Sequence, residues 1–239
     1  MAGDDLPVLI VGDVHGDVER LFTALEPYPA TEWRTVFLGD LVDYGMFGVG
    51  ALRYARDRPN SDVLLGNHEV AMLWALRDPT RTGWWMSIGG QLHDLDELRK
   101  DEALQQWMRG RPALLRLGDG TLAQHCGSDI YLDLARDGAS DQVEVINSIV
   151  AEQLQAGSER LLWDLLSSPN VFETQPTRLE QYLRLMDSRR VVFGHKPHRG
   201  PRPAVYHDGR ALNFDGGLSR SHRLHQRNAP VTASVAPLD

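Results

Sequence analysis

The stretch VLIVGDVHGD, residues 8–17, joins a short apolar run to a glycine-punctuated loop that carries Asp13 and His15. A continuous apolar run of this length, rich in β-branched residues, is typical of a strand that is buried on both faces. The loop therefore places a carboxylate and an imidazole directly behind a buried strand. We expect these two side chains to lie at the carboxyl end of that strand.

Four further stretches repeat this arrangement along the chain. They are TVFL before GDLVDYG, DVLL before GNHE, TLAQ before HCG, and RVVF before GHKPH. Helical patterns lie between several of these stretches, so the predicted class is α/β, built from βαβ units with right-handed crossovers. Open α/β sheets bind ligands outside the carboxyl ends of their strands. The five loops are therefore expected to converge on one cleft.

The bulk composition limits the number of domains and the kinds of partner. The chain has 239 residues, of which 42% are hydrophobic, and no Pro/Gly/Ser-rich linker divides it, so we predict one domain over residues 1–239. A formal net charge of −8 argues against a broad nucleic-acid surface. The one basic cluster, SRSHRLHQR at residues 219–227, is interpreted as a solvated surface segment.

The expected compartment is the cytoplasm. Cys126 is the single cysteine, so no internal disulfide can form, which fits a reducing environment. The first residues, MAGDDLPVLIVGD, are acidic and contain only a short apolar run. They match neither a secretory signal nor a membrane span, and no membrane partner is expected.

The converging loops offer oxygen and imidazole ligands. The six donors are Asp13, His15, Asp40, Asn67, His125 and His195. Such a set suits Mn²⁺, Fe or Zn²⁺ better than Cu(I) or an iron–sulfur cluster. Six donors exceed what one catalytic ion needs, whereas two divalent ions about 3.5–4 Å apart would use them all. Asp40 is the natural bridging carboxylate between the two ions.

The five loops, in this order, resemble those of the calcineurin-like metallophosphoesterases. GDVHG and GNHE are similar to the phosphoprotein-phosphatase branch and its bacterial relatives, which include the symmetrical diadenosine tetraphosphate hydrolases. WWMSIGG, residues 84–90, falls where those bacterial relatives often have a Trp and a Gly-Gly pair, and NFDGG, residues 213–217, resembles the family's closing strand and turn. The resemblance implies a β-sandwich flanked by helices, a metal site at the loops after the strands, and a helical insert at roughly residues 128–188.

The resemblance also implies a role for each matching residue. The first metal would be held by Asp13, His15 and Asp40, and the second by Asp40, Asn67, His125 and His195. A hydroxide bridging the metals would attack phosphorus in line. His68 would protonate the leaving oxygen as general acid, and Asp43 would hydrogen-bond the other nitrogen of His68.

Tyr44 departs from the family pattern. The phosphatase motif ends Asp-Arg-Gly at this loop, and its arginine grips the phosphate, whereas this chain has Asp-Tyr-Gly. A phenol donates one hydrogen bond and carries no positive charge at neutral pH. We hypothesise that the phosphate clamp is weaker or is rebuilt from elsewhere. The candidate substrate-binding residues are Tyr44, Arg53, Arg77, Arg81, Lys196 and His198.

Several other residues are interpreted as ordinary structural residues. Cys126 is read as a small buried residue, and the pair Trp84 and Trp85 as packing, with a substrate platform as the alternative. GHKPH has histidines three apart, so His195 is carried over as a ligand and His198 is kept only as a candidate. The remaining histidines are read as surface or loop residues; they are His93, His207, His222 and His225.

Three functions follow from these residues. The leading one is hydrolysis of phosphomonoesters by a metal-dependent phosphoric ester hydrolase using Mn²⁺, with a serine/threonine protein phosphatase as its specific form. The first alternative is hydrolysis of a dinucleoside polyphosphate or another nucleotide. The second alternative is a catalytically weak metal-binding module, which only Tyr44 favours. The expected partner is a phosphorylated protein or a nucleotide, and the sequence leaves the oligomeric state open.

Overall fold

The computed structural model describes residues 6–222 and 229–238, and all structural statements below refer to these residues. The strands are β1 (Val8–Val11), β2 (Arg34–Phe37), β3 (Ser61–Val63), β4 (Leu114–Arg116), β5 (Thr121–Cys126), β6 (Arg190–Gly194), β7 (Ala204–Tyr206), β8 (Ala211–Asn213) and β9 (Val235–Pro237). The α-helices are α1 (Val18–Leu25), α2 (Gly48–Asp57), α3 (Asn67–Arg77), α4 (Thr82–Ser87), α5 (Leu92–Arg99), α6 (Glu102–Arg109), α7 (Gln142–Ala156), α8 (Glu159–Leu166) and α9 (Pro176–Leu185). Each of the five apolar runs singled out in the sequence overlaps a strand.

The strands form two mixed sheets. The first sheet has the order β3-β2-β1-β9, with β1, β2 and β3 parallel and β9 antiparallel to β1. The second has the order β4-β5-β6-β8-β7, with β5, β6 and β8 parallel and antiparallel strands at both edges. The parallel strands β1, β2, β5 and β6 lie inside the sheets and are mostly buried, as their apolar runs predict, whereas the parallel strand β3 lies at an edge.

An apolar layer joins the two sheets. Ile10 and Val36 from the first sheet share one buried cluster with Ala123 and Val192 from the second. Neighbouring strand residues such as Leu9 belong to the larger cluster, which also includes the buried faces of the helices. Because side chains alternate along a strand, each sheet contacts the other sheet with one face and helices with the opposite face. The predicted β-sandwich flanked by helices is confirmed.

The helix boundaries follow local sequence signals in most places. The Asp141 side chain accepts a hydrogen bond from the Val143 N–H at 2.9 Å and so caps α7. The TRLE stretch at residues 177–180 predicts a cap at Thr177, but α9 begins at Pro176 with Gln175 before it. That prediction was wrong because proline favours the first helical position, which moves the start of α9 ahead of Thr177.

The segment predicted as a helical insert, residues 128–188, holds α7, α8 and α9. Helix α8 packs against α3, and the buried Glu159 at its start pairs with Arg77 at the end of α3. This contact brings the insert to the helix that opens with Asn67 and His68. None of the described helices combines the length and the apolar composition that crossing a bilayer requires.

Candidate metal centre and active site

The backbone adopts an unusual conformation at five of the predicted site residues. His15, Asp40, Asp43, Tyr44 and His195 have positive φ angles of 46°, 52°, 70°, 59° and 72°. L-residues rarely adopt this left-handed region, and such residues concentrate at functional sites, where the surrounding structure holds them. The loops after β1, β2 and β6 therefore hold these residues in a strained backbone conformation, which sets the direction of their side chains.

Asp40 lies at the centre of the site. Its Oδ2 atom is 4.0 Å from Nε2 of His15, 4.0 Å from Nε2 of His68 and 3.4 Å from Nε2 of His125. Two groups of side chains are close enough to hold a metal ion, and Asp40 belongs to both. They are His15, Asp40 and His68, and Asp40, His125 and His195. The shared carboxylate has the position that a bridging ligand needs.

Asn67 and Asp13 complete the set of predicted ligands. Asn67 Oδ1 lies 2.8 Å from His125 Nε2 and 3.0 Å from His195 Nδ1. Asp13 Oδ2 is 3.8 Å from His15 Nε2, and this buried oxygen has no hydrogen-bond partner among the described residues. A buried carboxylate oxygen without a partner is costly unless a cation neutralises it. The donor set and this oxygen both fit a site for divalent ions.

Backbone carbonyl groups fix the orientation of two imidazole rings. His15 Nδ1 lies 3.0 Å from the Val42 carbonyl oxygen, and His125 Nδ1 lies 2.9 Å from that of Leu38. A carbonyl oxygen can only accept a hydrogen bond, so Nδ1 carries the hydrogen in both rings and Nε2 is left as the ligand atom. Outer contacts of this kind are what orient metal-binding histidines in proteins.

The two buried acids Asp13 and Asp40 have pKa values shifted in opposite directions. Burial and the neighbouring carboxylates of Asp215 and Asp40 raise the pKa of Asp13 well above its usual range. Burial also acts to raise the pKa of Asp40, but the surrounding imidazoles, led by His125, lower it well below its usual range. A positive ion among these crowded acids would favour the ionised form of each carboxylate.

His68 and Asp43 form a buried pair beside the predicted ligands. His68 Nδ1 lies 2.7 Å from Asp43 Oδ2. Burial acts to lower the pKa of His68, but Asp40 and Asp43 outweigh it and raise that pKa. Burial raises the pKa of Asp43 to about 6, although His68 opposes that rise. The arrangement holds the imidazole ring with Nε2 on the side of Asp40, whose Oδ2 is 4.0 Å away.

Trp85 also contacts this pair. Its indole N–H donates to both oxygens of Asp43, each at 3.1 Å, and the side chain is fully buried. The interpretation of Trp85 as packing is thus incomplete, because the residue combines packing with a polar contact to the predicted acid pair. The WWMSIGG stretch was the available signal, since it places a tryptophan and two glycines together.

Tyr44 and His222 lie over His15. The ring centre of Tyr44 is 4.9 Å from that of His15 and 4.2 Å from that of His222. His222 stacks on His15 with ring centres 4.9 Å apart and an interplanar angle of 11°. The interpretation of His222 as an ordinary surface or loop histidine is therefore incomplete, because the residue lies in a loop but its ring packs on a predicted ligand.

The chain around Ser219 explains why His222 reaches the site. The Ser219 hydroxyl donates to the His15 carbonyl oxygen at 3.2 Å, and the Arg220 guanidinium donates to Asp17 at 2.8 and 2.9 Å. These contacts fold the start of the basic cluster back onto the loop after β1. The rest of that cluster, including His225, lies outside the described residues.

The predicted arginine candidates have partners elsewhere in the structure. Arg53 pairs with Glu97 and Asp101 at 2.9 and 3.0 Å. The Arg77 guanidinium donates to the buried Glu159, and the Arg81 guanidinium lies 4.7 Å above the centre of the Trp74 ring. The structure therefore shows these three guanidinium groups engaged with acidic or aromatic partners.

Lys196 and His198 lie on the loop after β6, next to His195. The Lys196 side chain is exposed. His198 is in neither of the two groups of candidate ligands among the described residues. Its backbone N–H donates to the Asp215 carbonyl oxygen at 2.9 Å. Asp215 itself is a buried acid close to Asp13 that the sequence reasoning missed, although the NFDGG stretch contains it.

A sandwich with two adjoining ligand groups and a His–Asp pair at its strand ends is the arrangement expected of a metallophosphoesterase. The chain belongs to the calcineurin-like phosphoesterases, since the model of that family matches residues 6–221. This match confirms the predicted class of protein.

Similar proteins include a curated enzyme and solved structures. The chain is 39% identical, over 75 residues, to the serine/threonine-protein phosphatase 4 catalytic subunit of Candida glabrata. That match spans 29% of this chain and 24% of the relative, so it covers about a quarter of the curated protein.

Two solved structures show the same fold at low sequence identity. The cold-active protein-tyrosine phosphatase of a psychrophilic Shewanella species superposes with a TM-score of 0.70 at 18% identity, covering 98% of this chain and 81% of that one. A putative diadenosine tetraphosphatase gives a TM-score of 0.51 at 18% identity, with 88% and 84% covered. At this identity the two structures support the fold alone.

Proposed function

We propose that this chain hydrolyses phosphate monoesters with two divalent ions, and that serine/threonine phosphoproteins are its substrates. The observation that carries this proposal is the position of Asp40, whose Oδ2 lies within 4.0 Å of three imidazole nitrogens, two of them from predicted metal ligands. Two bound ions would acidify a water molecule as nucleophile and neutralise the phosphoryl oxygens. The proposed ion is Mn²⁺, with Fe and Zn²⁺ as alternatives, and the proposed compartment is the cytoplasm.

The predicted ligands divide between the two ions. One ion would be held by Asp13, His15 and Asp40, and the other by Asp40, Asn67, His125 and His195. His68 is also close enough to Asp40 to enter the first group of candidate ligands. We nevertheless assign His68 to proton transfer, because its Nδ1 is bound to Asp43 at 2.7 Å while Nε2 remains directed at the cleft.

The proton for the leaving oxygen comes from His68 in this proposal. The Asp43 carboxylate accepts the Nδ1 hydrogen, so the proton to be transferred resides on Nε2. Breaking a P–O bond to a serine or threonine leaves a strongly basic alkoxide unless a proton arrives with it. A positioned acid typically contributes about 10²–10⁴-fold to such a step.

The non-bridging oxygens of the phosphate would accept hydrogen bonds from Tyr44 and His222. Both rings lie over His15, with their centres 4.2 Å apart. They can supply hydrogen bonds where the phosphatase motif has a guanidinium group, but they lack its fixed charge and bidentate geometry. The proposed clamp is accordingly weaker than the one in the phosphatase motif.

The match to a serine/threonine phosphatase subunit supports a phosphoprotein substrate, although it covers only 75 residues. A nucleotide is the second candidate, and the position of Trp163 on α8 favours it. The Trp163 ring lies 6.0 Å from the ring of His68 and 5.0 Å from that of Trp84. These two tryptophans form an aromatic surface on which a base next to the leaving oxygen could stack.

Specificity constants on two substrates test the proposal. The Mn²⁺-loaded protein should hydrolyse a phosphoserine peptide with a higher kcat/KM than diadenosine tetraphosphate. Trp163→Ala should leave the phosphopeptide constant within about twofold, and Trp107→Ala on α6 serves as the matched control. A higher kcat/KM on diadenosine tetraphosphate than on the phosphopeptide would contradict the phosphoprotein substrate. If Trp163→Ala but not Trp107→Ala lowered that kcat/KM, the substrate would be a nucleotide. No turnover on either substrate with the ions bound would favour the metal-binding module.

A further inference from the structure

Trp85 donates a second hydrogen bond to the carboxylate of the proposed His68–Asp43 pair. Its indole N–H lies 3.1 Å from both Asp43 oxygens, and the same Oδ2 atom is 2.7 Å from His68 Nδ1. Trp85 is 0% exposed and Asp43 is 1% exposed, so water does not compete for these contacts. One buried carboxylate is thus held between an imidazole and an indole.

The residues that follow Trp85 hold the same loop through its backbone. Tyr44 follows Asp43 in the chain, and its backbone N–H donates to the Gly89 carbonyl oxygen at 2.7 Å. Gly89 has a φ of 112°, and a Cβ atom on Gly90 would overlap the Trp85 ring. Both glycines are therefore required for this packing. The segment 85–90 binds the side chain of one loop residue and the backbone of the next.

This double contact has a physical consequence for Asp43 and Tyr44. Their φ angles of 70° and 59° are conformations that persist only where the surrounding structure imposes them. The indole N–H is a neutral donor, so it restrains the carboxylate without adding charge to the site. A carboxylate without this second donor could rotate inside its pocket and lengthen the contact to His68.

We infer that Trp85 is a positioning residue for proton transfer, because it fixes the Asp43 carboxylate that orients His68. The inference rests on the proposed function, in which His68 protonates the leaving oxygen. It assigns a task to the Trp-Gly-Gly pattern at residues 84–90. Trp85 acts through Asp43 and does not contact the substrate.

The leaving-group dependence of turnover tests the inference. Trp85→Phe keeps an aromatic ring in the pocket and removes the donor. We expect kcat to fall at least about tenfold on phenyl phosphate and on a phosphoserine peptide, but less than threefold on p-nitrophenyl phosphate, with KM changed less than twofold. An acid matters most when the leaving group is poor. A residue that only stabilised the fold would lower kcat on all three substrates by the same factor.

Two controls separate positioning from packing. Trp107→Phe makes the same replacement on α6, where the ring stacks with the Arg111 guanidinium, and should leave all three rates unchanged. In an Asp43→Ala background, Trp85→Phe should cause no further loss on phenyl phosphate, since its effect passes through Asp43. An equal loss with and without Asp43 would overturn the inference.

A spectroscopic measurement keeps the test valid should Trp85→Phe fold poorly. The chain has six tryptophans, so ¹⁵N-indole labelling gives few enough signals to resolve individually. We expect one indole signal to exchange slowly with solvent and to shift in Asp43→Asn, while the other five stay in place. Six unchanged signals would overturn the inference. If the wild type turned over no ester, the proposed function would be contradicted. The indole signals would still show whether Trp85 contacts Asp43.

Discussion

The Glu69 carboxylate accepts the backbone N–H of Asp40 at 2.8 Å, so the first turn of α3 holds the loop that carries the proposed bridging ligand. The same side chain accepts the N–H groups of Leu41, Val42 and Gly66 at 2.7, 3.2 and 3.0 Å. Glu69 is 2% exposed, and its four bonds satisfy buried backbone donors that no strand or helix could reach. The glutamate of GNHE thus shapes the site without being one of its predicted ligands.

Glu69→Gln should weaken both the fold and the binding of metal. A glutamine amide places an NH₂ group against backbone N–H donors, and each buried donor left unpaired costs about 1–3 kcal/mol. We expect unfolding by urea at a lower midpoint and an affinity for Mn²⁺ reduced about 10–100-fold. Glu97→Gln on the exposed side of α5 is the control. Equal urea midpoints and equal affinities in both variants would contradict this account.

Glu159→Ala should loosen the helical insert. Glu159 is fully buried and its two carboxylate oxygens lie 3.0 and 2.9 Å from Arg77 Nε, while Trp163 is one turn further along α8. Removing one partner of a buried ion pair leaves the charge of the other uncompensated. Because Arg77 is half-exposed and solvent screens its charge, we expect the free energy of unfolding to fall by only roughly 2 kcal/mol. Thermal unfolding should show a clear fall in Tm. Asp164→Ala, an exposed change on the same helix, should not, and equal Tm values would count against the anchoring role.

Tyr44→Arg should strengthen the binding of phosphate. A guanidinium at this position restores a charged donor over His15, and a hydrogen bond to a charged group contributes about 1.5–3 kcal/mol. The inhibition constant of inorganic phosphate should fall about tenfold or more. Tyr206→Arg on β7 controls for the added charge. If Tyr44→Arg leaves this constant, KM and kcat unchanged, the hypothesis of a missing clamp is wrong.

Cys126 should be unreactive in the folded protein. Burial raises the pKa of its thiol to about 12, so the group stays neutral far above physiological pH. The thiolate is the nucleophile, and a raised pKa leaves almost none of it at pH 8. Maleimide at pH 8 should therefore label the protein only after unfolding in guanidinium, which serves as the positive control. Rapid labelling of the folded chain would contradict the interpretation of Cys126 as a buried structural residue.

Five of the strands could be predicted from the sequence because their signals are local. Short apolar runs that end in a glycine or polar loop mark β1, β2, β3, β5 and β6, and each overlaps the predicted segment. Three other strands, β4, β7 and β9, lie at sheet edges, are only three residues long and carry no such run. Their extended conformation depends on pairing with a neighbouring strand, which a local pattern does not encode.

The sequence could predict that the six proposed ligands would lie close together, since each lies at or shortly after the carboxyl end of a strand. Trp163 and His222 were missed because they reach the site from distant parts of the chain. Trp163 is delivered by the packing of α8 on α3, and its own surroundings, RLLWDLL, read as an ordinary apolar helix face. His222 depends on the contacts of Ser219 and Arg220 with the loop after β1. Such tertiary contacts leave no periodic signal in the sequence.

Metal removal and reloading test the central claim most directly. The protein would be stripped with a chelator and reloaded with Mn²⁺, with the bound metal counted and the hydrolysis of p-nitrophenyl phosphate followed in the same samples. We predict two ions per chain, no turnover after stripping, and recovery of turnover with the second ion, whereas Asp40→Asn should bind fewer ions and stay inactive. Turnover that persists in the stripped protein, or a chain that regains full activity with one ion, would contradict the dinuclear mechanism.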